Sequence, residues 1–156
     1  MIRTGEKAPD FTLPSANGEN VSLSSLLGKR TVVLYFYPKD DTPGCTAEAC
    51  EFRDHYEEFK AAGAEVVGVS ADSAGSHERF ASKHKLPFLL LSDRDGEVRA
   101  RYGVKSTLGL FPGRETFVID RTGVVRYAFR SQIRFGAHVA NALDVVKSLE
   151  SSHAHA

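Results

Sequence analysis

The chain has 156 residues, 42% of them apolar and 26% charged, which suits a single globular domain able to bury its own core. Twenty basic and twenty acidic residues cancel, so charge gives no reason to expect a nucleic-acid partner or an anionic membrane. No apolar run reaches the ~20 residues of a membrane-spanning helix, and the first residues lack the apolar core of a secretory signal. Two cysteines cannot build a disulfide framework, so the expected setting is reducing and cytoplasmic.

Residues 8–14 and 21–23 flank Asn17-Gly18 and read as a small N-terminal β-hairpin. Residues 24–27 form one helical turn closed by Gly28. Residues 32–37 are apolar, β-branched and aromatic with little polar alternation, the pattern of a central strand buried on both faces. A helical pattern then runs from Pro43 to about Ala62, with Ala49, Phe52, Tyr56 and Phe59 on one face and Gly63 as its stop. Further on come a buried strand (65–70), a helix (76–84), a strand (88–91) and a short helix (96–102). Residues 115–120 and 124–129 are strands joined tightly at Arg121-Thr122-Gly123, and 135–149 is an amphipathic closing helix. Residues 1–150 are thus one domain, and 151–156 read as a flexible tail. His77, His84 and His138 lie on predicted helices and read as solvated, as does the sparse basic set Arg126, Arg130 and Arg134. The class is α/β, with a central mixed sheet flanked by helices, and the element order is that of a thioredoxin-like fold.

The chemistry concentrates at Cys45, directly after the first long strand and in the first turn of the predicted helix. Only a thiolate is a good sulfur nucleophile, and unpaired N–H groups at a helix start favour an anion. Peroxide reduction needs more, namely donors that align the peroxide with sulfur and stabilise charge on the departing oxygen. Thr42, three residues earlier, has a hydroxyl that can donate to one oxygen and accept from another; capping the helix is its other reading. Pro38 and Pro43 stiffen the loop and, lacking N–H groups, limit competing donors. Arg114 opens the strand at 115–120 and is the candidate cation, planar, always charged and rich in donors; a surface strand residue is its other reading. No phosphate-cradling glycine loop is present, and Cys45, Cys50 and His55 point to different sides of a helix, which argues against a metal site. No cofactor is expected.

The run Val33-Leu34-Tyr35-Phe36-Tyr37-Pro38, followed by Thr42-Pro43-Gly44-Cys45-Thr46-Ala47-Glu48-Ala49-Cys50, resembles the active-site segment of the peroxiredoxins. It is similar in particular to the bacterioferritin-comigratory-protein, or Q-type, subfamily, whose resolving cysteine follows the peroxidatic one by five residues. The likeness extends to Ala8-Pro9-Asp10-Phe11 and to Gly113-Arg114-Glu115-Thr116-Phe117-Val118-Ile119-Asp120. It implies a peroxide site made by Thr42, Cys45 and Arg114, a resolving role for Cys50, and a loop-positioning role for Glu48. The implied activity is a peroxidase acting on hydrogen peroxide and organic hydroperoxides and recycled by thioredoxin or a similar dithiol. A peroxide-responsive redox sensor or disulfide relay is the alternative. A monomer is expected, because a resolving cysteine within the chain requires no partner subunit.

Cys45 and Cys50 on one helix would have Cα atoms roughly 8.7 Å apart, from about 1.5 Å rise and ~100° per residue. A disulfide needs about 4.4–6.8 Å. Oxidation therefore predicts unwinding of the segment from about Pro43 to Phe52.

Overall fold

The computed structural model describes residues 2–104, 113–131 and 134–154. Strands β1 (Thr12–Pro14) and β2 (Asn20–Ser22) pair antiparallel, with Gly18 at φ +86° supplying the left-handed turn residue that the Asn-Gly signal requires. Helix α1 (Leu23–Leu26) is capped by Ser22, whose Oγ accepts the Ser25 N–H. The remaining elements are β3 (Thr31–Phe36), α2 (Pro43–Asp54), α3 (Tyr56–Ala61), β4 (Ala64–Ser70), α4 (Ala74–His84), β5 (Leu89–Ser92), α5 (Glu97–Arg101), β6 (Glu115–Ile119), β7 (Val125–Arg130) and α6 (Phe135–Ala154).

The central sheet has the order β5-β4-β3-β6-β7, parallel through β3, β4 and β5 and antiparallel at β6 and β7. Every residue of β3 and β4 is buried, as continuous apolar strands covered on both faces should be. One face packs Val33, Tyr35 and Val66 under Phe52 of α2, Phe59 of α3, Phe80 of α4 and Val146 of α6. The other packs Leu34, Phe36 and Phe117 under α5 and the N-terminal hairpin. Tyr35 stacks on Phe52 at 4.5 Å and lies across β4 at Gly68, where a Cβ would come within 2.8–2.9 Å of its ring. Only glycine leaves that room.

Four expectations are corrected. The single helix expected over 43–62 is broken at His55, whose φ of −105° and ψ of 6° end α2 before α3 begins. Phe52, Tyr56 and Phe59 all remain in one core cluster, so the break leaves the apolar face continuous. Helix α6 runs on to Ala154, past the point where a tail was expected. His77 and His138 are fully buried rather than solvated, each held by hydrogen bonds at both ring nitrogens.

Candidate active site

The sheet register builds the site. Phe36 pairs with Glu115 across the antiparallel β3–β6 ladder, so Arg114 lies beside the chain leaving β3 and entering the 37–42 loop. Pro43 occupies the first turn of α2, where its missing N–H is no loss. Thr42 is the N-cap residue by backbone shape, yet its side chain caps nothing: Oγ1 donates to Lys39 O at 2.8 Å. The capping reading is thereby excluded, and among the described residues no side chain accepts from the Gly44 or Cys45 N–H. Cys45 is a free thiol, 2% exposed, at this helix start.

Arg114 closes over it. Its Nη2 donates to Cys45 Sγ at 3.3 Å and its Nη1 to Glu48 Oε1 at 2.5 Å, an ion pair that is almost wholly buried. Burial would pull Arg114 down, but Glu48 and Cys45 hold it above an ordinary guanidinium. Glu48 is raised to about 7 because burial outweighs the attraction of Arg114. Its Oε2 has no hydrogen-bond partner and lies 3.8 Å from His138 Nδ1. His138 Nε2 faces the Ser131 carbonyl at 2.8 Å, which can only accept, so the ring's proton is there. Nδ1 then accepts from Thr116 Oγ1 at 2.7 Å. Burial, against the Ser131 carbonyl, lowers His138 to about 4 and keeps it neutral.

A second buried cluster anchors the loop that carries Pro38 and Thr42. Asp40 accepts from Tyr37 Oη at 2.5 Å and from Ser76 Oγ at 2.9 Å, and is hydrogen-bonded to His77 Nδ1 at 2.7 Å. Its backbone N–H donates to Asp72 Oδ2, which also accepts from Ser70 Oγ. His77 Nε2 donates to Leu91 O at 2.9 Å, tying the loop to β5. Asp41 next turns the chain at φ +60°, a conformation that Asp tolerates, and pairs outward with Lys83.

Of the residues singled out from sequence, the fold brings Cys45, Glu48 and Arg114 into contact, sets Thr42 one turn before the sulfur, and keeps half-buried Pro38 in the anchored loop. Cys50 is also a free, half-buried thiol, but α2 is unbroken from Pro43 to Asp54, so it stays apart from Cys45. Sequence reasoning missed the partners His138, Thr116, Asp40 and His77, and also Arg99, whose guanidinium bridges Tyr37 O and Gly113 O. His77, Phe80 and His84 recur at helical spacing, a signal that could have marked His77 as inward-facing. Among the described residues no group of His, Cys, Asp or Glu is arranged to hold a metal, and no helix is long and apolar enough to cross a membrane. A buried thiol at a helix start, touched by a guanidinium that a carboxylate holds in place, is equipped to react with a small electrophile.

The AhpC/TSA family is matched over residues 4–128. The chloroplastic peroxiredoxin Q of Sedum lineare is 52% identical over 150 residues, covering 96% of this chain and 80% of its own. Among solved structures, peroxidoxin BcpB from Mycobacterium tuberculosis has a TM-score of 0.89 at 39% identity, covering 96% of this chain and 99% of that one. The Xanthomonas campestris bacterioferritin comigratory protein, which has an alkyl peroxide reduction activity, has a TM-score of 0.82 at 34% identity, covering 90% and 92%. With nearly its whole length matched by such proteins, the chain belongs to the peroxiredoxins of the AhpC/TSA family, in the Q-type branch with the bacterioferritin comigratory proteins, and is a peroxidase.

Proposed function

We propose that the chain reduces hydrogen peroxide and organic hydroperoxides with Cys45 as the attacking thiol and Cys50 as its resolving partner. The observation that carries this is the Arg114 contact to Cys45 Sγ, with Arg114 itself held by Glu48. The Cys45 thiolate attacks one peroxide oxygen; the S–O bond forms as the O–O bond breaks, sulfur is oxidised to sulfenic acid, and the departing oxygen takes up a proton to leave as water or an alcohol. Arg114 and the Gly44 and Cys45 N–H groups face the charge that builds during this step. Thr42 has committed its hydroxyl hydrogen to Lys39 O, so toward a peroxide it acts as an acceptor, taking the O–H of the bound substrate. Cys50 then displaces water from the sulfenic acid to give the Cys45–Cys50 disulfide, and an external dithiol such as thioredoxin returns both thiols. The intact α2 forbids that disulfide, so its N-terminal turns unwind in each cycle. Use of alkyl hydroperoxides follows the Xanthomonas campestris relative. A monomer in a reducing compartment, the cytoplasm in the sequence reading, completes the proposal.

The test is NADPH consumption with thioredoxin, thioredoxin reductase and hydrogen peroxide. The wild type turns over, Cys45→Ser is inert, Cys50→Ser is oxidised once without thioredoxin-driven cycling, and Thr42→Val loses most of its rate. Loss of one thiol equivalent per chain without turnover would make the chain a peroxide sensor instead. Full cycling by Cys50→Ser would remove Cys50 from the mechanism.

A further inference from the structure

We propose that Arg99 is a positioning residue of the peroxide site, a clamp that fixes the distance between the Pro38 loop and Arg114. Its Nη2 donates to Tyr37 O at 2.8 Å, the last carbonyl before Pro38, and its Nη1 donates to Gly113 O at 2.6 Å, the last carbonyl before Arg114. One planar guanidinium thus joins the two backbone segments that carry the loop and the cation. No ladder hydrogen bond does this work, because the β3–β6 register ends at Phe36 and Glu115, one residue short of Tyr37 and two short of Gly113.

Arg99 is itself held from behind. Asp93, 2% exposed, accepts from the Val98 and Arg99 N–H groups through its two carboxylate oxygens, and its own N–H donates to Ser70 O at the end of β4. The first turn of α5 is therefore fixed to the sheet, and the Arg99 guanidinium lies 5.7 Å from the Phe36 ring. A rigid path runs from Ser70 through Asp93 and Arg99 to Gly113, and from there to the guanidinium at Cys45 Sγ. The Arg99 guanidinium is committed to the Gly113 and Tyr37 carbonyls, so its effect passes through the placement of Arg114 and Pro38. A second effect, weaker and independent of geometry, comes from its positive charge near Cys45.

The proposal rests on Cys45 as the peroxide-reactive thiol, and Cys45→Ser run in parallel tests that reading by itself: residual peroxidase there would overturn the assignment of Cys45 and not the clamp. For Arg99, two second-order rate constants of Cys45 are compared by quench-flow and mass spectrometry. One is for hydrogen peroxide, which needs the aligned site; the other is for iodoacetamide, which needs only the thiolate. Arg99→Lys keeps the charge and loses the fork. Its peroxide rate constant falls about 10–100-fold, the scale of an ångström misplacement, while alkylation stays within about threefold. Arg99→Met loses both charge and fork, and alkylation falls as well. Should Arg99→Lys not fold, Arg99→Gln gives the same reading, with the peroxide rate falling at least tenfold more than alkylation. A lysine variant within about twofold of wild type toward peroxide, or equal falls in both reactions, would overturn the clamp.

Discussion

Two buried polar clusters flank Cys45, and they are built to opposite standards. Beneath the 37–42 loop, both Asp40 oxygens and both His77 nitrogens have partners, drawn from Tyr37, Ser76 and Leu91. Beneath α2, Glu48 shares one oxygen with Arg114 and leaves the other without a partner in a fully buried place. A satisfied buried network rigidifies what it joins, whereas an under-satisfied one makes opening less costly. The loop that carries Pro38 and Thr42 is thus pinned, and the helix that carries Cys45 and Cys50 rests on a contact that water would improve. Rigidity and mobility are divided on either side of one sulfur atom.

Removing a partner from the satisfied cluster should have the largest effect. Asp40→Ala removes the shortest partner of both His77 Nδ1 and Tyr37 Oη, leaving them only a 3.4 Å contact with each other. It should cost about 3–5 kcal/mol, a fall in Tm of roughly 10 °C by calorimetry. A fall of a degree or two would show that the loop is not pinned by this cluster.

The second cluster is sharpened by pH. Between about pH 4.5 and 7 the native state keeps a proton on Glu48 that the unfolded chain has released, so Glu48 makes stability fall as pH rises. His138 does the reverse: between about pH 4 and 6.5 the unfolded chain binds a proton that the buried ring refuses, so stability rises with pH. In the wild type the two slopes oppose each other where they overlap. Glu48→Gln removes the first, so the variant loses stability on acidification from pH 6.5 to 4, by up to about 3 kcal/mol relative to wild type. Urea unfolding across that range reads it; parallel curves for the two proteins would show that Glu48 titrates as an ordinary exposed carboxylate.

The smallest effect belongs to Thr116→Val, which removes the donor to His138 Nδ1 and keeps the shape. It should cost about 1 kcal/mol in urea unfolding, with little change in peroxidase rate. A loss as large as that of Asp40→Ala would make the two clusters equals and end the contrast.

The sheet, the helices around it and the place of Thr42 and Cys45 were legible because each leaves a local mark: an apolar strand, a proline-glycine turn, a helix start. Arg114 left none of its own and was singled out through the resemblance of the segment around it. His55 left none, because Phe52, Tyr56 and Phe59 keep helical spacing straight through the break and no glycine or proline announces it. The partners were hidden for a different reason. Asp40 and His77 are 37 residues apart, Thr116 and His138 22, and Arg99 reaches Tyr37 across 62. Such contacts exist only once the strand order is set, and periodicity reports which face a residue shares, never which distant group waits there. Residue type misled as well: a histidine on a helix reads as polar and exposed until a buried acceptor is known.

The interruption at His55 limits how far damage to the helix can spread. Its N–H returns to Glu51 O, its carbonyl receives the Phe59 N–H, and its ring lies between Glu51 and Glu58. Melting that starts at the Pro43-Gly44 end therefore meets a firebreak after twelve residues, and α3, with Phe59 fully buried, stays seated on the sheet. In the proposed disulfide cycle, unfolding is therefore confined to the piece that carries both sulfurs, and part of the structure can be lost in a turnover without the rest beginning to denature.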